Sequence, residues 1–371
     1  MSKRVLIIGS GFFGAVSARE LTNAGHQCQV IEKRDHIGGN CYTRYSPEAD
    51  SHQHVYGAHI FHTNSEKIWS YINQYAAFNN YVNRVKAAHG DRLYSFPINL
   101  LTLHQLFGVR TPQEAKARIA EDCIPNANPK NMEEYCLATF GRSIYETFFY
   151  GYSRKQWNRD PKELPAAIAR RVLIRFNFDD NYFADRYQGI PIGGYTAIFQ
   201  KLLDGIPVEL QTDFFADQEA WLRKYDHVIF TGPIDAYFKR QFGALEYRSL
   251  RWDTELLDTP DAQGCAVVNH TSADIPYTRT YEHKHFDLNY TRDQTLLTKE
   301  YPIDWKPGGL EVYPVNTDEN QALYAKYSAA ANELEGKVTF GGRLGSYRYY
   351  DMHQVIGAAL KTASDLIDSW R

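Results

Sequence analysis

VLIIGSGFFGAVSARELTNAGHQCQVIEKRDHIGGNCYT, Val5 to Thr43, decides the fold. Val5–Ile8 is a short aliphatic run. Gly9, Gly11 and Gly14 follow at once in the spacing G-x-G-x-x-G, and a helical pattern continues through Leu21. The order is strand, turn, helix. The glycines differ in what they permit. Gly9 allows the tight turn, Gly11 lets backbone approach a pyrophosphate, and Gly14 lets the helix pack on the strand while its first N–H groups face the phosphates. A second apolar run, Cys28–Ile31, ends in Glu32, about 20 residues past the glycines, where a carboxylate accepts from ribose hydroxyls. A glycine-rich turn alone also serves packing, but strand, helix and acid together make this a dinucleotide-binding unit.

The chain then adds Gly38, Gly39 and Thr43 in KRDHIGGNCYT. This resembles the extended fingerprint of FAD proteins of the glutathione-reductase-like class, in which a second glycine pair closes over the flavin diphosphate. The resemblance implies bound FAD rather than diffusible NAD.

Composition narrows the classes. A chain of 371 residues that is 43% hydrophobic can bury the core of two or three domains and is not disordered. Its 27 tyrosines suit clefts that stack bases or hold sugars, although most serve ordinary core and surface roles. A net charge of −3 supplies no global basic field, so no nucleic-acid partner is expected and any anion must be met by local arginines. Five cysteines without a C-x-x-C pair argue against a disulfide framework or a zinc site. The first strand begins near residue 5, and no run of 18 apolar residues occurs, so a cytoplasmic protein without membrane insertion is expected.

Further along, Tyr56–His62 reads as a strand, with Asn64 capping a helix that carries Ile68, Trp69 and Ile72. His59 and His62 form an i, i+3 pair, but no Cys or carboxylate nearby completes a metal set, and contact of one with a flavin ring is the better reading. Residues 100–175 turn helical, with Thr111 and Pro112 at cap and first-turn positions. That run ends in a stripe, Tyr145, Phe148, Phe149, Tyr152 and Trp157, which is either core or one wall of a cleft. Arg170 and Arg171 form either a solvated edge or an anion-binding loop. VELQTDFF and HVIFTGPIDAYF return to the nucleotide unit as strands, and residues 245–315 alternate as an antiparallel sheet. A last helix starts near Asp351 and aims its N-terminus at the flavin.

The expected fold is therefore α/β: an FAD-binding Rossmann-like domain (1–63, 196–243 and 330–371), an inserted helical domain (80–180) and an antiparallel sheet domain for substrate (64–79, 181–195 and 244–329).

GSGFFG, EKRDHIGGN, GAHIFHT, YVNRVKA, KQW, RFNFDDNYF, DRYQGIPIGGY, PYTRTYEHKHF and GGRLGSYRYYDMHQ together resemble the UDP-galactopyranose mutase family of the bacterial kind. The likeness runs from about residue 3 to the last helix. It implies interconversion of UDP-galactopyranose and UDP-galactofuranose on non-covalent FAD that is active when reduced, flavin N5 attacking the anomeric carbon. It also implies an unidentified electron donor, a homodimer, and a role in supplying galactofuranose for cell-surface polysaccharide. Carried over by residue, Phe13, Glu32, Lys33, Gly39, Asn40, His59, Ile60, Asp213, Phe214, Arg343 and His353 contact FAD, and His62 lies against the flavin near its reactive nitrogen. On the substrate side the resemblance implies Asn83, Phe148, Tyr152, Ser153, Trp157, Tyr182 and Phe183, with Arg248 and Asn269 completing the pocket. Arg171 on a mobile lid and Arg279, with Tyr313 and Tyr349, hold the diphosphate. Two departures stand out: Asn158 where glycine is commoner, and Leu173 where proline is commoner.

No acid/base pair or Ser-His-Asp set appears in the sequence, which suits a reaction whose hard chemistry the cofactor carries. The alternatives are a flavin amine oxidase or desaturase on the same nucleotide fold, and a non-catalytic FAD sensor or scaffold.

Overall fold

The computed structural model describes residues 2–170, 172–334 and 336–371. Arg171, assigned above to the lid and the diphosphate, lies outside the described residues. A five-stranded parallel sheet runs in the order Val338–Phe340, His227–Phe230, Arg4–Ile8, Gln27–Ile31, Val208–Glu209. Both faces are covered, which is why its strands read as continuous apolar runs. Val5, Ile7, Val30 and Ile229 face the helices Phe12–Asn23, Gly194–Leu202 and Met352–Ser369. Leu6, Ile31, Val228 and Phe230 face Phe214, Tyr225 and Tyr237 on the other side. Full burial of each such side chain stabilises by about 1.5–3 kcal/mol, so this sheet holds the glycine turn rigidly.

A seven-stranded sheet follows the order Tyr313–Pro314, Tyr247–Leu257, Thr295–Asp304, Arg279–Glu282, Val267–His270, Val85–His89, Arg92–Phe96. Its pairings are antiparallel apart from Val267–His270 with Val85–His89. The hairpin Val85–Phe96 thus belongs to the sheet, although the boundary 80–180 placed it with the helices. Its sheet partner comes far later in the chain, so no local pattern announces the pairing.

The helical stretch follows the caps that begin it. Thr111 caps Pro112–Asp122 in a reciprocal box with Glu114, and Asn99 caps Leu100–Phe107. Leu103, Ile119, Cys136, Phe140, Phe148 and Phe149 form its core. Two local readings shift. The strand near His62 is only Phe61–Thr63, because Gly57 turns the chain at φ 86°. The following helix, Glu66–Ile72, is capped by Ser65 rather than Asn64, whose amide is drawn away to Asp185 and whose oxygen accepts from the Arg186 N–H. Among the described residues no helix is long and apolar enough to cross a membrane.

Candidate active site

A groove of about 730 Å³ opens where the parallel strands end, within the range of small-molecule sites. Gly9 (φ 97°) and Gly14 explain the motif sterically: a Cβ on Gly9 would stand 2.2 Å from Thr231 Oγ1, and one on Gly14 would stand 2.0 Å from the Gly9 carbonyl. A Cβ on Gly11 would meet nothing nearer than Gly39 at 3.9 Å, so the floor of the groove is open there. Among the described residues no side chain caps the helix Phe12–Asn23, which leaves its first N–H groups available to an anion. Buried Glu32 accepts from Ser10 N (3.0 Å) and Ser10 Oγ (2.8 Å) through one oxygen and from Arg34 N (3.0 Å) through the other. A carboxylate has about four acceptor positions, so capacity remains for a ribose.

Of the residues expected at FAD, Phe13, Lys33, Gly39, Asn40, His59, Asp213, Phe214 and Arg343 also line this groove, whereas Ile60 lines only the neighbouring cavity and His353 lines neither. Arg34 was missed. Its guanidinium lies 4.4 Å from the Tyr56 ring centre and gives Nη2 to Asn40 Oδ1 (2.9 Å), while Nη1 is buried without a partner among the described residues. An orphaned cationic donor beside an uncapped helix end fits a dinucleotide diphosphate. The signal was a basic side chain two positions past Glu32, which the motif itself does not specify.

A second cavity of about 200 Å³ meets the groove at His59, Arg343 and Met352. It gathers Ile60, His62, Asn83, Tyr182, Phe183, Asn269, Arg279, Tyr313 and Tyr349 from distant parts of the chain. Sheet register supplies part of this: Asn269 pairs with Arg279, and Arg279 with Glu300. Glu300 is buried, lies 3.3 Å from Arg279 Nη1, and accepts from Trp252 Nε1 and the Tyr281 hydroxyl. The arginine is therefore anchored on one side and open to the cavity on the other. Among the described residues Asn269 Oδ1 is buried without a partner, an acceptor that a bound hydroxyl or amide would satisfy. Arg343 is held by the carbonyls of Val312 (3.1 Å) and Tyr350 (2.7 Å) and lies 4.9 Å from the Tyr313 ring, itself stacked on Tyr349.

The histidines differ in kind. His59 Nδ1 donates to the Gly57 carbonyl at 2.8 Å, which leaves its Nε2 lone pair free. Burial pulls its pKa down to about 4, against that hydrogen bond and with help from Arg343, so the ring is neutral at pH 7. His62 stacks on Phe183 at 3.7 Å, and its Nδ1 lies 2.6 Å from Asp185, a partner that sequence spacing did not reveal. Folding also brings Asp351 and His353 to His62, each with one ligand atom within 4.8 Å of the others, although no carboxylate near His59 and His62 in sequence completes such a set.

The other expected substrate residues lie on or near the helix Gly151–Trp157. Tyr152 has Arg279 6.0 Å from its ring centre, and Trp157 has Arg248 at 4.9 Å. Ser153 is buried in the same helix. Phe148 does not belong to the cavity: it is 5% exposed and packs edge-on against Tyr94 in the helical core. The stripe thus divides: Tyr145, Phe148 and Phe149 are core, Trp157 is half-buried against that core, and Tyr152 turns to Arg279, while Tyr152, Ser153, Trp157 and Arg248 line neither the groove nor the cavity. Asn158 ends the helix at φ 49°, a left-handed position that glycine takes most easily and asparagine next, which accounts for that departure. Leu173 is exposed.

The family model for UDP-galactopyranose mutase matches residues 147–349, and that for an NAD(P)-binding Rossmann-like domain matches residues 7–75. Over 372 aligned residues the chain is 43% identical to the probable UDP-galactopyranose mutase of Klebsiella pneumoniae, covering 99% of this chain and 96% of that one. The chain belongs to the UDP-galactopyranose mutase family. It is also 40% identical to the dTDP-fucopyranose mutase of Escherichia coli, over 97% of each chain. A crystal structure of reduced UDP-galactopyranose mutase superposes with a TM-score of 0.76 at 15% identity, covering 100% of this chain and 94% of that one, a likeness of fold. Membership makes the protein an isomerase with FAD as its cofactor, which the groove residues fit, and the oxidase and scaffold alternatives fall away.

Proposed function

We propose that this enzyme interconverts UDP-galactopyranose and UDP-galactofuranose in a cleft between the three units expected from the sequence. The observation that carries the reading is the cavity of fixed arginine, asparagine and tyrosine side chains opening directly into the dinucleotide groove. Ring contraction requires the anomeric C–O bond to UDP to break with no net change in redox state. Reduced FAD supplies a nucleophilic ring nitrogen for the anomeric carbon. Arg279, with Arg171 from the lid, Tyr313 and Tyr349, stabilises the departing diphosphate, and Arg343 lines the passage to the groove. His62, steadied through Nδ1 by Asp185, lies against the flavin at the sugar's side of the cavity. Asn83, Asn269, Tyr182 and Phe183 enclose the sugar nucleotide, while Trp157 over Arg248, with Tyr152, forms its outer wall. An external donor keeps the flavin reduced, and a cytoplasmic homodimer completes the proposal.

The near-equal identity to a dTDP-fucopyranose mutase makes a 6-deoxy dTDP-sugar the competing substrate. Purified protein, with and without dithionite, is given UDP-galactose or dTDP-fucose and the ring forms are separated by chromatography. Turnover of UDP-galactose confined to the reduced samples supports the proposal. A higher kcat/KM for dTDP-fucose assigns the enzyme to that substrate, and equal activity in oxidised and reduced samples removes the nucleophilic role of the flavin.

A further inference from the structure

The helix that carries Tyr152 and Trp157 reaches the sheet at one place. Lys155 donates to the carbonyl of His270 (2.7 Å) and to that of Tyr277 (3.0 Å), the two ends of the loop joining strands Val267–His270 and Arg279–Glu282. One turn earlier on the same helix face, Gly151 presses on the middle of this loop: a Cβ there would stand 2.3 Å from the Thr271 carbonyl and 2.7 Å from the Ala273 nitrogen. The loop is anchored from its other side, since Thr271 N donates to the Ala88 carbonyl and Gly90 N to Ser272 Oγ (2.8 Å). A missing side chain and a long cationic one therefore dock the helix on the loop that precedes Arg279.

We propose that Lys155 is a positioning residue, whose ammonium clamps both ends of the 270–277 loop and so sets the spacing between Tyr152 and Trp157 on the helix and Arg279 and Arg248 on the sheet. This rests on the substrate reading above, in which Tyr152 and Trp157 form the outer wall of the nucleotide-sugar cleft. Lys155 lines neither the groove nor the cavity, so its effect reaches the substrate only through the helix. The charged and titratable groups facing it are His270, neutral because burial lowers its pKa to about 4, and Asp274 of the loop. Burial lowers the Lys155 pKa to about 8, against the pull of Asp274, so the clamp weakens as the ammonium loses its charge above that pH.

The test uses reduced holoenzyme and UDP-galactose. Lys155→Met removes the donors at similar length, and Lys155→Arg keeps a charge that does not titrate below about pH 12. The Met variant is expected to raise KM about tenfold, the scale of a lost charge-assisted bond. Its kcat should stay within about twofold and its FAD content normal, since no transition-state contact is removed. Wild-type KM should climb above about pH 8, and the KM of the Arg variant should not. A Met variant with wild-type KM, or with lowered kcat at constant KM, overturns the proposal. Should the Met variant fail to fold, the pH comparison decides, and a wild-type KM that is flat through pH 8 overturns it. A wild type that binds no UDP by calorimetry overturns the functional reading, and the role of Lys155 with it. A wild type that binds UDP beside an unchanged Met variant overturns the role of Lys155 alone.

Discussion

The groove and the cavity sit side by side and differ in how local they are: Asp213, Phe214 and Arg343 close the groove from distant segments, but its floor is a single stretch. The glycine turn, Glu32, Arg34 and Gly39 come from one continuous stretch, folded locally and seated on a sheet covered on both faces. The cavity draws His62, Asn83, Asn269, Arg279 and Tyr349 from segments that meet only when two sheets and a helix dock. A turn whose backbone atoms leave no room for a Cβ tolerates nothing, whereas a cleft lined by side chains tolerates change at the cost of affinity or rate. Damage to the groove should remove the cofactor, and damage to the cavity should spare it.

The sharpest break is Gly14→Ala. Its Cβ would stand 2.0 Å from the Gly9 carbonyl, so the helix must leave the strand and with it the phosphate-facing N–H groups. Overpacking of this kind costs about 1–3 kcal/mol. The expected outcome is a protein that purifies colourless and melts several degrees lower, measured by flavin absorbance and thermal denaturation. A yellow, fully loaded variant would show that the turn does not hold the diphosphate.

Next come Arg279→Ala and Arg171→Ala, which should each cut kcat/KM at least about tenfold with flavin content unchanged. For Arg279 the loss also strands Glu300, buried and without its cation, so a fall in melting temperature accompanies it. Lys at either position should rescue partly, since it restores charge without the guanidinium fork. Loss of FAD from either variant would blur the separation between the two regions.

A gentler effect is acid sensitivity behind the junction. His54 N–H donates to His283 Nδ1, and His59 N–H donates to His54 Nδ1. Burial holds His59 at a pKa of about 4 and His283 at about 3, against 6.5 for a free imidazole, and lowers His54 in the same direction. The unfolded chain takes up these protons as pH falls through 6.5 while the folded chain resists until about 4, so stability drops across that window and is constant above it. Melting temperatures measured from about pH 8 to about pH 4.5 should be flat to about 6.5 and then fall. A melting temperature that rises on acidification would contradict the neutral assignment.

The smallest effect belongs to Asn158→Gly. Glycine relaxes the left-handed backbone but loses the contact of Asn158 Nδ2 with Asp304 (3.2 Å) and frees the unfolded chain. These oppose one another, and urea denaturation should register a change within about 0.5 kcal/mol.

Much of the molecule was legible before folding because its determinants are local. Strand, turn and helix follow from Val5–Leu21, since glycine spacing and apolar period act within one unit. The Thr111 cap and the start of the last helix near Asp351 were readable for the same reason. Family motifs named most of the residues that gather at the cavity, but a motif says nothing of packing: Phe148 lies in the helical core, and Tyr152, Ser153, Trp157 and Arg248 lie outside the cavity's lining. Tertiary structure alone decided that the hairpin Val85–Phe96 completes the sheet, that Asp185 holds His62, that Glu300 anchors Arg279, and that Lys155 spans both ends of a loop. Each of these joins residues far apart in the chain through a hydrogen bond or a sheet register, and the energy of such a contact exists only after the chain has closed the loop between them.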